Sequence, residues 1–170
     1  IDVEDLSEEG MSGRRSDGGV YLVIADDSEE FPIALHYAAR RAHANRAHIG
    51  ILHVITIEDF QHWGKVENIM KKELREKAEK FIWNAAKKTH ELNNMMPCLY
   101  LKEGNTNDVI VDVINEDPSI RMMVLAGGTN SGGPGPLVSH FTSKGLSRLR
   151  VPLVIVPGHL DNQKIDDVAL

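Results

Sequence analysis

The sequence predicts an α/β fold in which a doubly wound, five-stranded parallel sheet carries four helices. From Val20 to Val156, short apolar runs rich in β-branched residues alternate with longer stretches of helical period, the signature of βαβ units. The short runs are nearly continuous in their apolarity, as expected of strands covered on both faces. A chain of 170 residues that is 42% hydrophobic is long enough for one core of this kind and short for two. We therefore expect one Rossmann-like domain.

Each element can be justified in turn. Val20 to Ala25 forms the first apolar run and the first strand. After Asp26-Asp27-Ser28, the residues Ala34, Leu35, Ala38, Ala39 and Ala42 recur at helical spacing, with Glu29, Glu30 and Pro32 suited to a first turn. Ile49 to Ile55 is the second strand, and it feeds a stretch from Thr56 to Lys65 without clear period, which reads as a loop. From Val66 a long helix is expected, because Ile69, Met70, Leu74, Ala78, Phe81 and Ile82 form one stripe against a charged face. Asn93-Asn94 ends it and Cys98 to Leu101 makes the third strand. Val109, Ile110, Val113 and Ile114 place the third helix after the cap candidates Asn105, Thr106 and Asn107. Met122 to Ala126 is the fourth strand. A glycine-rich loop runs from Gly127 to Gly135, and Leu137, Val138, Phe141, Leu146 and Leu149 mark a fourth helix. Pro152 to Val156 closes the sheet as the fifth strand.

Residues 1–19 are acidic and rich in glycine and serine, and read as a flexible arm; within it Met11 is a candidate start. The domain proper is expected over 20–158. Residues 159–170 stay polar until Val168 and read as a C-terminal tail.

Charge and cysteine content narrow the function classes. A net charge of −6 with eight scattered histidines gives no basic surface for nucleic acid or anionic lipid. Cys98 stands alone, so no intramolecular disulfide framework is possible. No apolar run approaches the roughly 20 residues that span a bilayer. The expected setting is the cytoplasm, with neither nucleic acid nor membrane as a partner.

Ligands of doubly wound folds sit at the carboxyl ends of the strands, which points to the loops after Ala25, Val54, Leu101 and Ala126. The segment Gly127-Gly128-Thr129-Asn130-Ser131-Gly132-Gly133-Pro134-Gly135 lies between strand and helix. Its glycines let backbone amides approach an oxyanion closely, and the helix that follows directs its positive end there. The same composition also suits a plain turn-forming loop.

Several segments together resemble the universal stress protein family, over nearly all of Val20 to Val156. Val23-Ile24-Ala25-Asp26-Asp27-Ser28 is similar to the family's first strand and its Asp-x-Ser turn, and Leu52-His53-Val54 to its Leu-His-Val second strand. Glu103-Gly104-Asn105 resembles its Gly-x-Pro turn, and Val151 to Val156 its closing Pro-Val-x-Val-Val strand. The resemblance implies a stress-response dimer paired through the fifth strand, Val151 to Val156, and an adenine-nucleotide pocket for ATP or AMP. In nucleotide-binding members the loop after strand four reads Gly-x2-Gly-x9-Gly-(Ser/Thr). Counted back from Pro152, those positions fall here on Ala126, Thr129, Ser139 and His140, so the motif is degenerate. Gly132, Gly135 and Gly145 match the spacing literally, but Gly145 would then fall inside helix four, ahead of Leu146. Asp26, Val54 and Thr142 match the family's turn aspartate, adenine-side residue and helix hydroxyl. Gly127, Gly128, Gly132 and Gly133 offer a substitute amide cradle, and a protonated His140 could face an anion.

The resemblance leaves three functional readings. One is a dimer that acts through protein contacts. Another is an ATP- or AMP-binding switch built on Asp26, Val54 and the loop to Thr142. The third is a slow ATP hydrolase, for which no residue pair stands out as a base for water. A response-regulator receiver would also use paired acids after strand one. It needs an aspartate ending strand three and a lysine ending strand five, however, and this chain has Lys102-Glu103-Gly104 and Val156-Pro157-Gly158 there. Metal-hydrolase and serine-nucleophile motifs do not occur. His36, His43 and His90 are expected in surface or half-buried packing, His53 hydrogen-bonded at the pocket edge, Cys98 in the core, and Phe60 and Trp63 in loop packing.

Overall fold

The computed structural model describes residues 18–56 and 68–170, with the side chains of residues 68–70 set aside. The elements in chain order are β1 (Val20–Ile24), α1 (Phe31–Ala44), β2 (His48–Thr56), α2 (Asn68–Asn93), β3 (Cys98–Gly104), α3 (Thr106–Glu116), β4 (Ile120–Gly127), α4 (Pro136–Phe141), β5 (Leu153–Pro157) and α5 (Asn162–Val168). All four strand pairings are parallel and the order across the sheet is β3-β2-β1-β4-β5. Consecutive apolar residues of a strand point to opposite faces, so the continuous runs feed two cores. Leu22, Ile24 and Leu52 pack with Ile110 and Ile114 of α3 and with Val138 and Phe141 of α4. Tyr21, Val23 and Ile51 pack with Leu35 and Ala38 of α1 and Ile82 of α2. The expected doubly wound sheet is present.

Local sequence accounts for most helix ends. Glu30 precedes α1 with Pro32 in its first turn, where a missing N–H costs nothing. Asn105 caps α3, its Oδ1 accepting the Asp108 amide at 3.2 Å. At the far end of α3, the Arg150 guanidinium donates to the carbonyls of Ile114, Asp117 and Ile120. Asp117 Oδ2 accepts the Tyr100 hydroxyl at 2.6 Å, and its Oδ1 accepts the Ser119 amide at 2.9 Å. Burial pushes the Asp117 carboxyl up, but the hydrogen bonds from Ser119 and Tyr100 and the charge of Arg150 outweigh it and leave it below the usual carboxylate range. This knot lies at the end of the sheet away from the loops that form the site.

Two expectations need correction. The fourth helix does not run from Leu137 to Leu149: α4 ends at Phe141, turns follow, and Leu146–Arg148 is a 3-10 turn with Leu146 54% exposed. Gly145 therefore does not sit inside a helix, and a side chain on it would meet the His140 ring at 2.5 Å. The segment read as a polar tail contains the fifth helix, α5. Asp161 caps it through the Lys164 amide at 2.9 Å, and Ile165 and Ala169 are fully buried where it packs on α1. His36 clamps it from α1: Nε2 lies 2.7 Å from Asp166 Oδ1 and Nδ1 lies 3.2 Å from Asn162 Oδ1. The hydrogen bond from His36, together with Arg40 at 3.1 Å, holds the Asp166 carboxyl below its usual range. Phe60 and Trp63 lie outside the described residues, as do residues 1–17 of the expected arm.

Candidate functional site

The carboxyl ends of β1 and β2 open into a cleft of about 600 Å³, within the range of small-molecule sites. Its apolar wall is made by Ile24, Val54, Leu74, Ala78, Phe81 and Leu137. Asp26, Asp27, His53, Lys77, Thr106 and Asn107 give it polar edges. Val54 reaches this wall because β2 continues past the end of β1, paired with Lys102 of β3. His53 stands beside it, with Nδ1 2.7 Å from the Ala25 carbonyl. A carbonyl only accepts, so Nδ1 carries a proton in this hydrogen bond. Phe81 braces the imidazole with ring centroids 4.8 Å apart. Asp26 Oδ1 accepts the Ser28 amide at 3.1 Å and its hydroxyl at 2.5 Å, which leaves the other carboxylate oxygen for a ligand.

A second space lies between the loops after β1 and β4, where the strand order reverses. It measures about 80 Å³, and Asp26, Ser28 and Glu30 face Pro134, Gly135 and Pro136 across it. The glycine-rich loop folds over this crevice by bonding to itself. The Gly128 amide donates to the Pro134 carbonyl at 3.2 Å, the Gly133 amide to the Asn130 carbonyl at 3.2 Å, and the Gly132 amide to Asn130 Oδ1 at 3.0 Å. Gly133 and Gly135 have φ of 83° and 99°, a conformation that glycine adopts without strain. Gly127 ends β4, and its carbonyl accepts the Gly158 amide at 2.8 Å. Thr129 is exposed in the loop.

The candidate residues named from the sequence thus fall into two groups. Asp26 and Val54 line the large cleft. Gly127, Gly128, Thr129, Gly132, Gly133, Ser139, His140 and Thr142 do not line it. Ser139 and Thr142 are exposed, and the Thr142 hydroxyl donates back to the Val138 carbonyl at 2.6 Å. His140 stacks edge-on against Phe141 with centroids 4.9 Å apart, and its Nε2 is buried without a hydrogen-bond partner. Among the residues the sequence reading passed over are Lys77 and Glu30. Lys77 lay hidden in the charged face of a long helix. Glu30 read only as a helix-start residue, although four acids within five positions after a strand was a visible signal. Cys98 is half-buried, and burial pushes its thiol up, so it behaves as a packing residue.

The family model of the universal stress protein family matches residues 21–157, most of the chain. Among solved structures, the universal stress protein UspA from Lactobacillus plantarum is similar, with a TM-score of 0.59 at 16% identity over 84% of this chain and 99% of that one. A universal stress protein from Archaeoglobus fulgidus in complex with dAMP gives 0.59 at 12% identity over 84% and 99% of the two chains. A universal stress protein in complex with cAMP gives 0.57 at 15% identity over 82% and 97%. At such identities the structural likeness speaks for the fold. No curated protein matches the sequence.

Proposed function

The chain belongs to the universal stress protein family, and from that premise we propose that it is a cytoplasmic stress-response dimer whose cleft takes an adenine nucleoside or nucleotide and so adjusts its contacts with protein partners. One observation carries the ligand reading: the cleft of about 600 Å³ at the carboxyl ends of β1 and β2, with Asp26 and Val54 on its walls. A flat apolar base fits against Val54 and Phe81, and a carboxylate such as Asp26 accepts ribose hydroxyls. The dAMP and cAMP complexes of similar folds agree with a ligand of this size and class. The test is to purify the protein without added nucleotide, denature it, and identify released small molecules by mass spectrometry, then titrate with adenosine and AMP. Released adenine compound or saturable binding is expected; the absence of both would leave the cleft without this role.

A second observation favours assembly through β5. Among the described residues this strand pairs only with β4, so one row of its backbone groups has no described strand beside it, an edge that invites pairing. Ile155 on this edge is 41% exposed. Two copies related by a two-fold axis can place these edges together. The variant Ile155→Arg is expected to sediment as a monomer with an unchanged circular dichroism spectrum, against a dimeric parent. A variant that stays dimeric would remove the β5 interface from the proposal.

A further inference from the structure

We propose that Glu30 is a specificity-determining residue of this site, restricting the ligand to nucleosides and monophosphates and turning polyphosphates away. The inference rests on reading the cleft as an adenine-nucleoside site and adds which end of the ligand is accepted. The large cleft and the crevice at the strand switch are contiguous, since Ile24, Asp26, Pro136 and Leu137 line both. A ligand in the cleft that extends towards the glycine-rich loop must therefore enter the crevice. At about 80 Å³ this space holds a few waters, and none of the side chains lining it is basic.

Glu30 dominates the crevice wall. Its Oε1 lies 3.0 Å from where a side chain on Gly128 would begin, and its Cγ lies 3.1 Å from the same point on Gly158. The carboxylate thus rests in the corner where β4 and β5 run into their loops. No hydrogen bond or ion pair holds it among the described residues. Asp26 faces the same space. Within the glycine-rich loop the amides of Gly128, Gly132 and Gly133 are already used, since they bond within the loop itself. A chain of phosphates would meet two carboxylates and few donors, whereas an uncharged nucleoside would not. A single anionic group has another outlet in Lys77, which lines the cleft but not the crevice and has no ion-pair partner among the described residues.

Glu30 can be changed cleanly. It stands at the N-cap of α1 but makes no side-chain cap hydrogen bond, so Glu30→Gln keeps the shape and leaves the helix start intact. The experiment is calorimetric titration of the full chain with adenosine, AMP and ATP, without divalent cations, for the parent and for Glu30→Gln. In the parent, ATP is expected to bind at least about tenfold more weakly than AMP. In Glu30→Gln this gap is expected to shrink about tenfold through stronger ATP binding, with adenosine unchanged. Added salt should narrow the parent's gap as well. Parent protein that binds ATP as tightly as AMP would overturn the role of Glu30 while leaving the cleft's ligand class intact. Equal shifts for adenosine and ATP in the variant would do the same. No binding of any of the three by either protein would overturn both.

Discussion

Phe141→Ala is expected to lower the unfolding free energy by about 3–5 kcal/mol, read as a shift of the urea midpoint with an unchanged slope. The magnitude follows from position. Phe141 is fully buried and packs with Val138 and Leu125 in the core between the sheet and α3. It is also the last residue of a six-residue helix, too short to hold itself without tertiary contacts. Losing the ring therefore frees the segment that supplies Pro136 and Leu137 to the cleft. Ligand binding should weaken along with stability. A loss below about 1 kcal/mol would show that the surroundings collapse into the space, and that α4 owes its place to the prolines and glycines before it.

Ile165→Ala is expected to cost about 2–5 kcal/mol and to act mainly on one helix. Ile165 is fully buried, and α5 has seven residues whose polar anchors are the His36 clamp and the Asp161 cap. If α5 can detach without unfolding the sheet, its amides will exchange with solvent much faster in the variant while those of β1 and β4 keep their protection. Uniform acceleration across the chain would mean instead that α5 and the sheet unfold as one unit.

The sheet was legible because each strand carries its own signal. Val20 to Ala25 and Met122 to Ala126 are apolar on both faces, and only a central parallel strand needs that. The misreadings occur where structure depends on partners distant in sequence. Leu146 and Leu149 continue the spacing of Val138 and Phe141, yet the chain turns at Thr142 and leaves Leu146 in solvent; periodicity cannot register that break. Helix α5 shows one strong apolar anchor, Ile165, and, apart from the local Asp161 cap, its polar restraints come from His36 and Arg40, more than a hundred positions away. The site was half legible for a similar reason. Asp26 and Val54 lie next to the strands that aim them, so spacing found them. Whether the glycine loop's amides face outward depends on Asn130 and Pro134 accepting them internally, and composition carries no trace of that choice.

The two edges of the sheet are unlike, and this limits how large an assembly can grow. On β3, Lys102 and Glu103 stand exposed near the end of the strand, and exposed charge on an edge discourages further strands from adding. On β5 the corresponding face is aliphatic. Copies joined β5 to β5 would enclose their adhesive edges at the two-fold axis and turn charged β3 edges outward at both ends. Such a pair is closed: it has no growing end, so raising the protein concentration should saturate the two-copy species without recruiting a third.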